Sequence, residues 1–115
     1  MFDHIMRLSE EPFSKISSQL QDIESRIYDE KRKRVQMGDV IQFRLRGNEE
    51  KFINARVIGL LVFTCFEDLF SSFSPSRFGG ESIPSLLSVR KYYSRIEEAR
   101  NGVVGMVLDV FEIKN

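Results

Sequence analysis

Hydrophobic and polar residues alternate along much of this chain, and the period of the alternation changes often enough to mark its elements. Phe2, Met6 and Leu8 alternate with Asp3, Arg7 and Ser9, which predicts a short edge strand whose inward face also carries His4. Glu10-Glu11-Pro12 then opens a helix, because proline is tolerated in the first turn, and Phe13, Ile16 and Leu20 form its apolar stripe. Across 23–28, Ile23 and Ile27 share one face while Glu24, Arg26 and Tyr28 share the other, which predicts a strand with a polar face. The stretch 29–34 holds two acids and then four bases, and reads as a solvated connection that turns at Met37-Gly38-Asp39.

Ile41, Phe43 and Leu45 alternate with Val40, Gln42 and Arg44, and after a Gly47-Asn48 turn Ile53, Ala55 and Val57 alternate with Asn54 and Arg56. This predicts a β-hairpin. Beyond Gly59 both faces turn apolar as far as Phe63, as in a strand covered on both sides. Thr64 followed by Glu67 is a capping-box pattern for a helix whose one face holds Phe66, Leu69, Phe70 and Phe73. Serine, proline and two glycines make 74–80 a loop and a candidate lid. Ser82 can cap a helix running towards Tyr93, Ser94 with Glu97 repeats the capping box for a shorter helix ending at Asn101-Gly102, and the β-branched run 103–113 predicts a closing strand. Neither βαβ alternation nor a bundle fits this order; an α+β arrangement does, as a small mixed barrel or open sheet with short helices at its rim.

A length of 115 residues suits one domain with one core, spanning 1–115. Seventeen basic and seventeen acidic residues cancel, so any attraction for nucleic acid must be local. One cysteine, Cys65, permits no intrachain disulfide and suits a reducing compartment, with the cytoplasm expected. The first residues lack the apolar stretch of a signal peptide, and the longest apolar run, 57–63, is too short to span a bilayer. No membrane partner is expected.

Several local signatures occur in one order: Leu8 before Pro12-Phe13, then Glu24-Ser25-Arg26, Asp29-Glu30-Lys31-Arg32, Gly38-Asp39-Val40-Ile41-Gln42-Phe43 and Gly102-Val103-Val104-Gly105. Together they resemble the ASCH family of the PUA-like superfamily. That resemblance implies a PUA-like mixed β-barrel with flanking short helices and a cleft for RNA or a modified nucleoside. The family's Gly-x-Lys-x-x-Glu-x-Arg fingerprint falls on Gln19, Gln21, Glu24 and Arg26, so its glycine and its lysine are both replaced. Small relatives that are amidohydrolases of acetylated cytidine use the lysine, a neighbouring hydroxyl residue and a glutamate. Here Gln21 stands at the lysine and Glu24 at the hydroxyl position, and glutamine can serve neither as a base nor as an activated amine. Glu81, after Gly79-Gly80, aligns with the second acid.

Each candidate residue has a plain alternative. Glu24 and Arg26, two apart on one strand face, can line a cleft together or close a barrel mouth as a structural ion pair. Lys31 to Arg34 can meet phosphate or merely face water, and Tyr28 nearby can stack on a base. Tyr92 and Tyr93 follow Lys91 and can hold a nucleobase, although helical spacing from Leu86 turns Tyr93 inward. His4 is the only histidine, which removes multi-histidine metal sites, and Cys65 between aromatics reads as a buried inert thiol.

The leading expectation is therefore a binding module for RNA or a modified nucleoside, with Gln21, Glu24, Arg26, Tyr28, Lys31, Arg32 and Tyr93 in contact and no cofactor or metal. The alternative is a hydrolase of a modified nucleoside that uses Glu24 or Glu81 as base. A third reading is a homodimer formed through the face of Phe66, Phe70 and Phe73.

Overall fold

One strand, β4 (Asn48–Phe63), is long enough to pair with a different neighbour along each side, and the sheet is built outwards from it. The computed structural model describes residues 1–80 and 89–115. In it β3 (Val40–Leu45) and β5 (Val103–Lys114) both run antiparallel to β4. Outside them β1 (His4–Leu8) pairs parallel with β3, and β2 (Ile23–Ile27) pairs antiparallel with β5, which gives the order β1-β3-β4-β5-β2. β1 and β2 are thus both edges. The sheet curls into a half-barrel that brings them towards each other, and the Arg26 side chain of β2 donates to the Arg7 carbonyl of β1 at 2.8 Å. The architecture is the α+β, PUA-like arrangement expected, left open along one seam.

Short helices flank the sheet: α1 (Glu10–Ser17), α2 (Glu30–Lys33), α3 (Phe66–Ser71) and α4 (Arg95–Asn101), with a 3-10 turn at Pro75–Phe78. The alternation within strands divides the hydrophobic side chains between the two faces. On the concave face Met6, Leu8, Phe43, Ile53 and Met106 pack with Phe13 and Ile16 of α1. On the opposite face Ile27 and Val103 meet Phe66, Leu69 and Phe70 of α3. The approach of α3 depends on Gly105, where a Cβ would lie 3.0 Å from Ile23 Cγ2 and 3.1 Å from Leu69 Cδ1.

Several expectations need correction. α1 stops at Ser17 and Gln19 takes the left-handed conformation, φ 63°, so the apolar stripe ends at Ile16 and Leu20 is 66% exposed. The charged stretch 29–34 contains a helical turn, because the Asp29 carboxylate accepts from the Arg32 backbone N–H and from its guanidinium, both at 3.0 Å. The hairpin turn is Arg46-Gly47, since Leu45 pairs with Asn48. Val62 is 52% exposed, so the end of β4 is not covered on both sides. Thr64 does not cap α3. Its first N–H, that of Phe66, donates instead to Glu98 Oε2 of α4 at 2.7 Å. Phe66 and Phe70 are buried within the chain, which removes them as a dimer face, and Cys65 is partly exposed. The Ser94-Glu97 capping box and the closing strand form where expected. The helix expected from Ser82 lies mostly outside the described residues.

Gln19 occupies a backbone conformation that costs a side-chain-bearing residue about 1–2 kcal/mol, and glycine's greater freedom when unfolded returns part of that. Gln19→Gly is expected to raise stability by about 0.5–1 kcal/mol, read as a higher denaturation midpoint at unchanged m-value. A lower midpoint would show that the Gln19 side chain contributes more than its backbone costs.

Candidate functional site

Curling the sheet leaves a cleft along the seam between β1 and β2, about 450 Å³ in volume. Four elements form its walls: the end of β1 with Ser9, the start of α1, the open edge of β2, and Phe66, Phe70 and Phe78 from the α3 side. The turn at 75–78 is held against β2 by a bidentate pair, both Arg77–Asp22 contacts being 3.1 Å, and by the Asp22 N–H donating to the Arg77 carbonyl. The loop read as a lid is therefore tethered. Its Gly79, at φ 87°, lies against Gln21, whose Oε1 would be 2.8 Å from any Cβ there.

At the centre of the wall is a buried polar group. Arg26 Nε donates to Glu24 Oε2 at 2.7 Å, and both side chains are about one-tenth exposed. Gln21 Nε2 donates to the Ile23 carbonyl at 2.9 Å and, at 3.4 Å, to Glu24 Oε1. Burial works to lower the Arg26 pKa, but the Glu24 carboxylate and the oxygen of Tyr93 outweigh it and hold the guanidinium above its ordinary value. The Tyr93 ring stacks on Phe66 with centroids 5.8 Å apart, so it links the aromatic wall to the ion pair. The pair closes the seam and lines the cleft at once, which joins the two alternatives the sequence left open.

Gln21, Glu24, Arg26 and Tyr93 thus gather at one site. Tyr28, Lys31 and Arg32 do not line it. Arg32 is taken by Asp29, and Lys33 lies over the Tyr28 ring at 5.7 Å. Lys31 is exposed yet feels the cleft: partial burial, then the charges of Arg32, Arg26 and Arg7, push its ammonium pKa down. Glu81 lies outside the described residues. His4 is hydrogen-bonded to Asp39 at 2.7 Å, away from the cleft. Among the described residues no three His, Cys, Asp or Glu side chains cluster as metal ligands would, and no helix is long and apolar enough to cross a membrane.

The sequence reading missed most of the rim. Arg7, Lys15, Arg46 and Lys91 join Arg26 around the cleft, against Glu11 and Glu24 among the described lining residues. A chain of zero net charge therefore presents a local excess of positive charge. Arg7 is bound to Glu49 at 2.7 Å and Lys15 to Glu11 at 3.0 Å, whereas Arg46 and Lys91 have no carboxylate partner among the described residues. These residues come from four separate segments, and only the presence of Lys91 beside two tyrosines offered a local signal.

No family model and no curated protein matches this chain. Solved structures do. A hypothetical protein, PH0355, superposes with a TM-score of 0.80 at 25% identity, over 94% of this chain and 98% of that one. Protein PF0455 from Pyrococcus furiosus gives 0.72 at 29% identity, over 96% and 99%. The ASCH protein from Zymomonas mobilis gives 0.62 at 18% identity, over 96% of this chain and 71% of that one. The chain has an ASCH-like fold.

Removing one partner of a buried ion pair strands the other. Arg26→Ala is expected to cost about 3–5 kcal/mol, and the Glu24→Ala, Arg26→Ala double variant to cost clearly less than the two single losses together. Additive losses in urea denaturation would show that the pair is not energetically coupled.

Proposed function

We propose that the seam cleft binds an unpaired nucleotide of RNA, or a modified nucleoside, as part of one ASCH-like domain. The observation that carries this reading is the juxtaposition in one cleft of a buried Glu24–Arg26 pair, an aromatic wall and a cationic rim. A nucleotide needs those three things: polar groups for the base edge or ribose, π surface for the ring, and positive charge for phosphate. Tyr93 and Phe78 supply ring surface, and Arg46 and Lys91 supply charge that no described carboxylate neutralises. RNA is favoured over DNA because folded RNA offers more unstacked bases to a pocket of this size.

The hydrolase reading rests on one feature: Gln21, which stands at the lysine position of the amidohydrolases the sequence resembles, has its Nε2 3.4 Å from Glu24 Oε1. A Gln21→Lys variant that releases acetate from acetylated cytidine, where the natural chain does not, would favour a site lacking only that amine.

Binding of labelled single-stranded RNA should fall roughly 20-fold between 50 and 200 mM salt if about three phosphates are neutralised. Arg46→Ala and Lys91→Ala should each make the salt dependence shallower by somewhat less than one charge. Salt-independent binding, or none to RNA or nucleosides, would refute the reading.

A further inference from the structure

A strand at a sheet edge exposes every second residue's N–H and C=O. On β2 the register shows which residues these are. The Leu108 N–H donates to the Asp22 carbonyl at 2.8 Å, and the Tyr28 N–H to the Gly102 carbonyl at 3.0 Å. The even-numbered residues of β2 therefore turn their backbone groups towards β5, and Ile23, Ser25 and Ile27 turn theirs to the seam. The Gln21 side chain confirms this sense, since it reaches the Ile23 carbonyl from the open side.

The ends of this edge are covered. Gln21 occupies the Ile23 carbonyl, and Tyr93 packs across Ile27 with its oxygen against Arg26. Between them Ser25 lines the cleft, and its backbone N–H and C=O have no hydrogen-bond partner on the seam side among the described residues. We infer that the Ser25 backbone reads the hydrogen-bonding edge of a planar base inserted into the cleft, its N–H and C=O pairing with an adjacent acceptor and donor on the ring. The inference rests on the nucleotide reading above and adds how the base is recognised.

Geometry favours a small planar group over a polypeptide strand. Strand addition uses several successive edge residues, whereas here Ile23 and Ile27 are buried and only Ser25 between them is partly exposed. The flanking side chains suit a flat ring as well. Glu24 and Arg26 project from one face of β2, while Ile23 and Ile27 project from the other towards α3 and its phenylalanines. A base hydrogen-bonded in the plane of the sheet would have the ion pair on one side and the partly exposed rings of Phe78 and Tyr93 on the other. Every unmodified base carries an adjacent donor and acceptor on its Watson–Crick edge, so this contact tolerates base identity and rejects bases whose edge donor is alkylated.

Two pairs of nucleosides isolate that donor: uridine with 3-methyluridine, and adenosine with N6,N6-dimethyladenosine. The natural chain should bind the methylated member of each pair at least about tenfold more weakly. Ser25→Pro deletes the N–H at an edge position where proline is tolerated, and should weaken binding of the unmethylated nucleosides by a similar factor. If Ser25→Pro fails to fold, the methylated pairs still decide. Equal affinity for methylated and unmethylated nucleosides would overturn the backbone contact while leaving the nucleotide reading intact. Absence of binding to all four nucleosides and to RNA would overturn both.

Discussion

The half-barrel is held along its seam by side chains, not by a backbone ladder, and Arg26 carries that junction. Its guanidinium meets Glu24 at 2.7 Å and the Arg7 carbonyl at 2.8 Å, so one residue neutralises a buried carboxylate and ties β2 to β1. Neither edge strand could approach the other with unpaired polar groups and remain dry. A side-chain bridge leaves space beside it, which continuous strand pairing would have filled. The cleft exists because, among the described residues, Arg26 alone bridges the seam between β1 and β2.

Charge follows the same economy. Acidic and basic residues cancel over the whole chain, yet curling the sheet brings Arg7, Arg26 and Arg46 to one opening with Lys15 and Lys91. Three of them are paired, Arg7 with Glu49, Lys15 with Glu11 and Arg26 with Glu24, while Arg46 and Lys91 have no carboxylate partner among the described residues. A neutral protein can in this way keep a short-range preference for an anionic ligand without long-range attraction to polyanions.

Much of the fold was legible because alternation records which face a strand buries. The faces of β2 and β3 read correctly from Ile23 and Ile27 against Glu24 and Arg26, and from Ile41 and Phe43 against Gln42 and Arg44. Ser94 and Glu97 announced α4 because a capping box is a local device. Thr64 and Glu67 mimicked the same device and failed because a distant carboxylate, Glu98, took the N–H. The candidate site was legible only where its residues are neighbours in the chain. Tyr28, Lys31 and Arg32 follow Arg26 closely in sequence, yet the Asp29 cap turns the chain into α2 and away from the cleft. Arg46 reaches the rim through β-pairing across three strands, information that no local spacing contains.

The sheet order also fixes when the cleft can exist. β1 and α1 are made early, and β1 finds its partner once the hairpin of β3 and β4 has emerged. β2, which carries Glu24 and Arg26, has no partner until β5 appears at the far end of the chain, where Ile23 meets Val107. During synthesis its polar face must stay hydrated while much of the concave core can already assemble. The cleft is therefore among the last features of this domain to form, because β2 stays unpaired until β5 has been made.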